Sequence, residues 1–131
     1  MGEGAGEVNL DRGFAAAKEA RMSEDPKSDE RVKPADCRTM REVRRGVDAL
    51  DAAIVALIGE RFSYMDAAAR IKKDRGEVRD EARKAEVIAN ARAHAAGHGV
   101  PDAAAAALWE ALVEASIAYE LERFDRSRGA G

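Results

Sequence analysis

Apolar positions recur at steps of three and four from Met40 onward: Met40, Val43, Val47, Leu50, Ile54 and Leu57. That spacing marks one face of a long α-helix. Continued at the same steps, the count reaches positions 61, 64, 68 and 71. Position 61 is arginine, so a cation falls within the apolar seam. Lys72 lies next to the last stripe position, 11 residues after Arg61 and so about three helical turns away. Arg44 flanks the stripe near its start. A buried cation is costly without an anion, and that anion can be a small molecule. The pattern holds from Thr39 to about Arg75, roughly 35 residues or on the order of 50 Å of helix. A helix this long needs a partner along its length. Gly46 and Gly59 lie inside it, each costing about 1 kcal/mol relative to alanine. They are best explained by the close approach of another backbone.

The start of this helix carries a T-x-x-E capping box, Thr39 with Glu42, and Arg75-Gly76 ends it. A second helix is predicted from about Asp80 to Ala96. Its weak apolar face is Ala82, Ala85, Val87, Ile88 and Ala91, and Gly97-His98-Gly99 stops it. A third opens at Pro101-Asp102 and continues to about Phe124, with Leu108, Trp109, Leu112, Val113, Ile117, Leu121 and Phe124 apolar. Its stripe of 109, 113, 116, 120 and 124 includes Ser116 and Glu120. A carboxyl side chain thus stands in an apolar seam, one turn after a hydroxyl. No strand pattern or internal repeat is present. Residues 1–33, with Gly2, Gly4, Gly6, Gly13 and charges of both signs, read as a disordered tail. Met22 is a second conceivable start. The helical domain spans 34–126, and 127–131 read as a frayed end.

Composition narrows the class. Of 131 residues, 46% are hydrophobic and only 5% aromatic, with abundant alanine, which suits packed helices rather than strands. The length is enough for one small domain. A net charge of −3 gives no nucleic-acid footprint. The single cysteine, Cys37, excludes an internal disulfide and suits a reducing compartment. No apolar run approaches a membrane span, and the N-terminus lacks the basic and apolar regions of a secretory signal. The cytoplasm is the default location.

Arg44 and Arg61 are 17 positions apart, roughly 25 Å along a straight helix. They cannot hold one small ligand from the same chain. If two copies of the first helix pack antiparallel, Arg44 of one meets Arg61 and Lys72 of the other. The plainer reading is a snorkelling side chain or a surface ion pair, which weighs more on Arg44 than on Arg61. His94 and His98 have the i, i+4 spacing of a metal pair. With no third ligand evident, they read as polar residues at a helix C-terminus, where His98 suits the dipole. Cys37 and Trp109 read as structural. Asp48, Asp51 and Glu60 read as a solvated face or as partners of arginines. Glu120 is also compatible with a surface position near Arg123.

The segment PADCRTMREVRRGVDALDAAIVALIGERFSYMDAAARIK resembles the first helix of the all-helical chorismate mutases, and most closely the branch that includes isochorismate pyruvate-lyases. The resemblance covers about residues 34–126. It rests on Arg44, Gly59 with Arg61, Lys72 closing AAARIK, Arg83 in RDEARK, and Ser116 with Glu120. It implies an all-α fold: a three-helix protomer with one very long N-terminal helix, in an intertwined homodimer with two identical sites. Arg44 would reach the partner's site, while Arg61, Lys72, Arg83, Ser116 and Glu120 come from one chain.

The implied substrate, chorismate, carries two carboxylates and an ether oxygen. Its rearrangement to prephenate is concerted, so no nucleophile, metal or cofactor is called for. Catalysis is then conformer selection and stabilisation of charge on the breaking ether. Arginines clamp carboxylates bidentately, which suits Arg44 and Arg61. Lys72 would donate to a carboxylate and to the ether oxygen, and Glu120 would face that oxygen from the other side. To donate, Glu120 must be protonated. Arg83 would guard the site's mouth. Bacterial relatives usually carry glutamine at the Glu120 position. Lys84 stands where many chorismate mutases have a glutamate for the ring hydroxyl, while Asp80 matches an aspartate near that hydroxyl. The PADC and SYMDAAARIK segments lean instead towards the lyase branch, which expels pyruvate and leaves salicylate. A dimeric helical scaffold without activity is the remaining alternative, but a scaffold has no reason to place Arg61, Lys72 and Glu120 on packed faces.

Overall fold

A computed structural model describes residues 31–129. The tail expected at 1–33 therefore falls, up to residue 30, outside the described residues. The chain divides after Ala56 into two compact units. Among the described residues there are three α-helices, α1 (Met40–Ile71), α2 (Glu81–Gly97) and α3 (Asp102–Arg128), two short 3-10 turns (Pro34–Asp36 and Arg75–Glu77), and no strand. No helix among them is long and apolar enough to cross a membrane.

In the first unit, the start of α1 is closed as the T-x-x-E pattern requires. The Glu42 amide donates to Thr39 Oγ1 at 3.1 Å. Glu42 Oε1 accepts from the amides of Arg38 and Thr39 at 2.7 and 3.1 Å. These two backbone bonds hold the Glu42 carboxyl below its ordinary range. The apolar stripe Met40, Val43, Val47, Leu50 and Ile54 is exposed along this unit. A Cβ at Gly46 would meet only Arg31 Cδ, at 3.9 Å, and one at Gly59 would meet nothing within 4 Å. The backbone approach expected at these glycines is not made by the described residues of this chain.

The second unit holds the core. Ala69 of α1, Val78 of the loop, and Val113, Ile117 and Phe124 of α3 are buried together, with Val87, Ile88, Trp109 and Leu121 packed against them. The α1 stripe does not run as counted. Tyr64 and Ile71 are exposed at 67% and 69%, and the covered positions include Arg61, Met65, Ala68, Ala69 and Lys72. Alternating steps of three and four average 3.5 residues per turn, whereas an α-helix takes 3.6, so the counted stripe drifts about 20° per heptad away from the packed face. Small side chains let the helices approach: Ala91 and Ala95 of α2 and Ala105 of α3 are all buried. On α2, Ala82 and Ala85 are exposed. The covered face there is Lys84, Val87, Ile88, Ala91 and Ala95.

Two boundaries also differ from expectation. Helix α1 stops at Ile71 rather than about Arg75 because Asp74 is extended, at φ −119° and ψ 143°. Its amide donates to Glu77 Oε2 at 3.0 Å, so the chain reverses through the 3-10 turn. Helix α3 continues past Phe124 to Arg128, and the end expected to fray is bonded to the rest of the unit through Arg128. The stop of α2 is as read. Gly99 adopts φ +73°, a left-handed conformation that favours glycine, and the Val100 amide returns to Ala95 O at 3.0 Å.

Candidate active site

The second unit carries a half-open cavity of about 780 Å³. Three segments supply charged and polar side chains to its lining: Arg61 of α1 with Lys72 just past its end, Asp80 at the N-cap of α2 with Arg83 and Lys84 in its first turn, and Ser116 and Glu120 of α3. Met65, Val78, Val87 and Val113 form the apolar part of the lining. All the residues expected in one chain's site therefore border one space. Arg44 is exposed in the first unit and is not among this cavity's residues.

Arg61 is half-buried, and its NH1 donates to Ser116 Oγ at 2.7 Å. Burial, followed by the nearby charge of Arg83, lowers its pKa from the ordinary arginine value. The Ser116 hydroxyl donates in turn to Leu112 O, one helical turn back, at 2.7 Å. Ser116 thus uses its proton on its own helix and presents a lone pair to Arg61. A hydroxyl has one donor, so in this arrangement it steers the guanidinium rather than offering a proton to the cavity.

Lys72 Nζ stands 2.8 Å from Glu120 Oε2, with the carboxylate side chain 5% exposed and the ammonium side chain 28%. By distance this is an ion pair. Oε2 nevertheless lacks a partner with hydrogen-bond angles. Both statements hold: charge attraction depends on separation, while a hydrogen bond also requires alignment. The result is a buried carboxylate oxygen, neutralised but not fully satisfied, bordering the cavity. The surface position considered for Glu120 near Arg123 is excluded by this burial. Arg123 instead donates to Tyr119 Oη at 3.0 Å and pairs with Asp66 at 3.1 Å.

The rim is set by secondary structure and ion pairs. Asp80 caps α2, its Oδ1 accepting the Arg83 amide at 3.0 Å. The exposed Arg83 side chain reaches Glu86 at 2.8 Å. Lys84 donates to Glu110 at 2.9 Å and to Glu114 at 2.6 Å. Arg79 forks onto both Glu114 oxygens at 2.7 and 3.1 Å and bonds Glu81 at 2.8 Å. Hydrogen bonds from Arg79, then Lys84, hold the Glu114 carboxyl down at about 2. The bonds to Glu114 and then Glu110 raise the Lys84 ammonium. This network was not found by sequence reasoning. Its members are 35 positions apart across the Arg79–Glu114 link, and no periodic signal connects them.

A smaller cavity of about 400 Å³ lies beside Asp66, Arg70, Arg123 and Arg126. Arg123 and Arg126 are paired there with Asp66 and Glu122, and among the described residues no buried side-chain atom without a hydrogen-bond partner belongs to its lining. No group of three or more His, Cys, Asp or Glu side chains is placed to hold a metal ion among the described residues. The larger cavity, with cations and a buried carboxylate in its lining, is suited to a small anion that also carries a neutral oxygen to be hydrogen-bonded.

Comparison with known proteins agrees with that chemistry. Residues 43–121, more than half of the chain, match the family described as chorismate mutase type II. The chain is also similar to isochorismate pyruvate lyase of Pseudomonas aeruginosa, 26% identical over 97 residues, covering 74% of this chain and 96% of that protein.

Proposed function

The chain belongs to the type II chorismate mutase family, and we propose on that premise that it rearranges chorismate to prephenate in the cavity bounded by Arg61, Lys72 and Glu120. The observation that carries this reading is the Lys72–Glu120 pair, 2.8 Å apart on the wall of a cavity that Arg61 also borders. In the reaction the ether C–O bond breaks as a C–C bond forms, with no group lost. The protein need only hold the compact conformer and stabilise negative charge on the ether oxygen. Arg61, steered by Ser116, clamps one carboxylate. Lys72 has three donors and divides them between a carboxylate, the ether oxygen and Glu120. Glu120 faces the ether oxygen from beside Lys72. Arg83 and Asp80 sit at the rim, where a second carboxylate and a ring hydroxyl would lie. Lys84 is held by two glutamates and adds no free charge.

The same reading makes the protein a homodimer. The exposed stripe from Met40 to Leu57 gives a second copy a face to cover, and the spacing of Arg44 from Arg61 lets Arg44 complete only the partner's cavity. The alternative substrate is isochorismate, with pyruvate expelled and salicylate left. It is supported by the similarity to the Pseudomonas lyase, and the same cations would serve it. Incubating the purified protein separately with chorismate and isochorismate decides between them. Prephenate from chorismate supports the mutase, and salicylate from isochorismate supports the lyase. Neither product would overturn the enzymatic reading and leave the helical scaffold.

A further inference from the structure

Arg128 closes the C-terminus of a helix to which it does not belong. The last carbonyls of an α-helix have no intrahelical donor. Those of α1 are met from α3: Arg128 NH1 donates to Ala69 O at 3.0 Å, and its NH2 donates to Lys72 O at 2.7 Å and reaches Arg70 O at 3.4 Å. The guanidinium also lies 3.8 Å from the centroid of the Phe124 ring, and Phe124 is buried in the core. A cation at this end also complements the helix dipole. Lys72 is the first residue beyond α1, and its amide donates to Ala68 O at 2.9 Å. Its backbone is therefore held on both sides, by the helix at its amide and by Arg128 at its carbonyl. The side chain so anchored ends at Glu120.

We infer that Arg128 is a positioning residue for Lys72: it fixes the residue just past the end of α1 so that the ammonium meets Glu120 and the reacting oxygen. This rests on the role given to Lys72 in the proposed reaction. A planar fork on a ring is the feature that matters, because a guanidinium presents donors from separate nitrogens in one rigid plane and stacks on the Phe124 ring, which a lysine ammonium does not.

The test is Arg128→Ala and Arg128→Lys in the full chain, with two readouts. Turnover of chorismate should show kcat reduced roughly ten-fold in Arg128→Ala, short of the hundred-fold that a 1 Å misplacement can cost. KM should change little, and Arg128→Lys should recover part of the loss. Amide hydrogen exchange should show Lys72, whose amide is bonded to Ala68 O, losing protection while the amides within α2 keep theirs. If the parent protein does not turn over chorismate, the functional reading fails, and the exchange measurement still decides the positioning role. Parent-level protection of Lys72 in Arg128→Ala overturns the inference, as does a loss spread equally into α2, which marks a merely structural contact. Should Arg128→Ala not fold, Arg128→Lys carries the same two measurements.

Discussion

Lys72 and Glu120 form an ion pair at 2.8 Å in which the carboxylate is nearly enclosed and the ammonium only partly so. Removing the cation strands the anion, whereas removing both charges does not. Lys72→Ala should therefore destabilise the fold by about 1–3 kcal/mol, the cost of a buried group left without its partner. Adding Glu120→Gln should return most of it. Denaturant titration of the two variants checks this, and equal stability of single and double variants would contradict it.

Glu120 also bears on the rate. A charged carboxylate beside an ether oxygen that is gaining negative charge repels it, whereas a neutral amide donates to it. Glu120→Gln should stay active, with a kcat for chorismate at or above the parent's. A dead variant takes Glu120 out of the place beside the ether oxygen.

Arg61 contacts Ser116 rather than a carboxylate, so its charge is left for the substrate. Arg61→Ala should lower kcat by 10²–10³, about 2.7–4 kcal/mol, as for the loss of one preorganised electrostatic donor. Helicity by circular dichroism should be unchanged. Near-normal turnover would take Arg61 out of the site. Ser116→Ala, which removes only the steering oxygen, should cost clearly less.

Arg44 gives a test of assembly. Mixing Arg44→Ala with Arg61→Ala protein under conditions of subunit exchange should restore one working site per heterodimer. Light scattering that finds an active monomer, or no recovery despite proven exchange, would refute the shared site.

Glu114 sets an acid limit. Its folded pKa of about 2 lies below the ordinary 4.5, so the unfolded chain takes up the proton first. The stabilisation is full above 4.5 and is lost as pH falls from there towards 2. Across that window the melting temperature of the parent should fall more steeply than that of Glu114→Gln. Parallel melting curves would mean that the fork from Arg79 contributes nothing to folding.

Much of this was legible in the chain. Thr39 and Glu42 cap α1 as their spacing says, Gly99 stops α2, and Ser116 and Glu120 fall on the buried face of α3. Local rules sufficed there because the interacting groups are within about one helical turn of each other. The misses have equally physical causes. Tyr64 and Ile71 were placed in the seam because a 3.5-residue count outruns a 3.6-residue helix over many turns. The Asp74–Glu77 turn that ends α1 early was passed over beside the louder Arg75-Gly76. Arg128 was assigned to a frayed tail because nothing nearby in sequence tells it that the end of α1 will lie within reach.

Three helices, the capping box at Thr39, the stop at Gly99 and the kinds of charge available are legible in the chain alone, since each follows from residue type at fixed short spacing. Which charges meet is settled by packing between the helices. Arg61 finds Ser116 55 positions away, Lys72 rather than Arg61 takes Glu120, and Lys84 goes to Glu110 and Glu114. These pairings depend on how closely α1, α2 and α3 approach and on where each helix stops. Both are set by the burial of small side chains such as Ala69, Ala91 and Ala105 across the whole unit, and no local pattern encodes them.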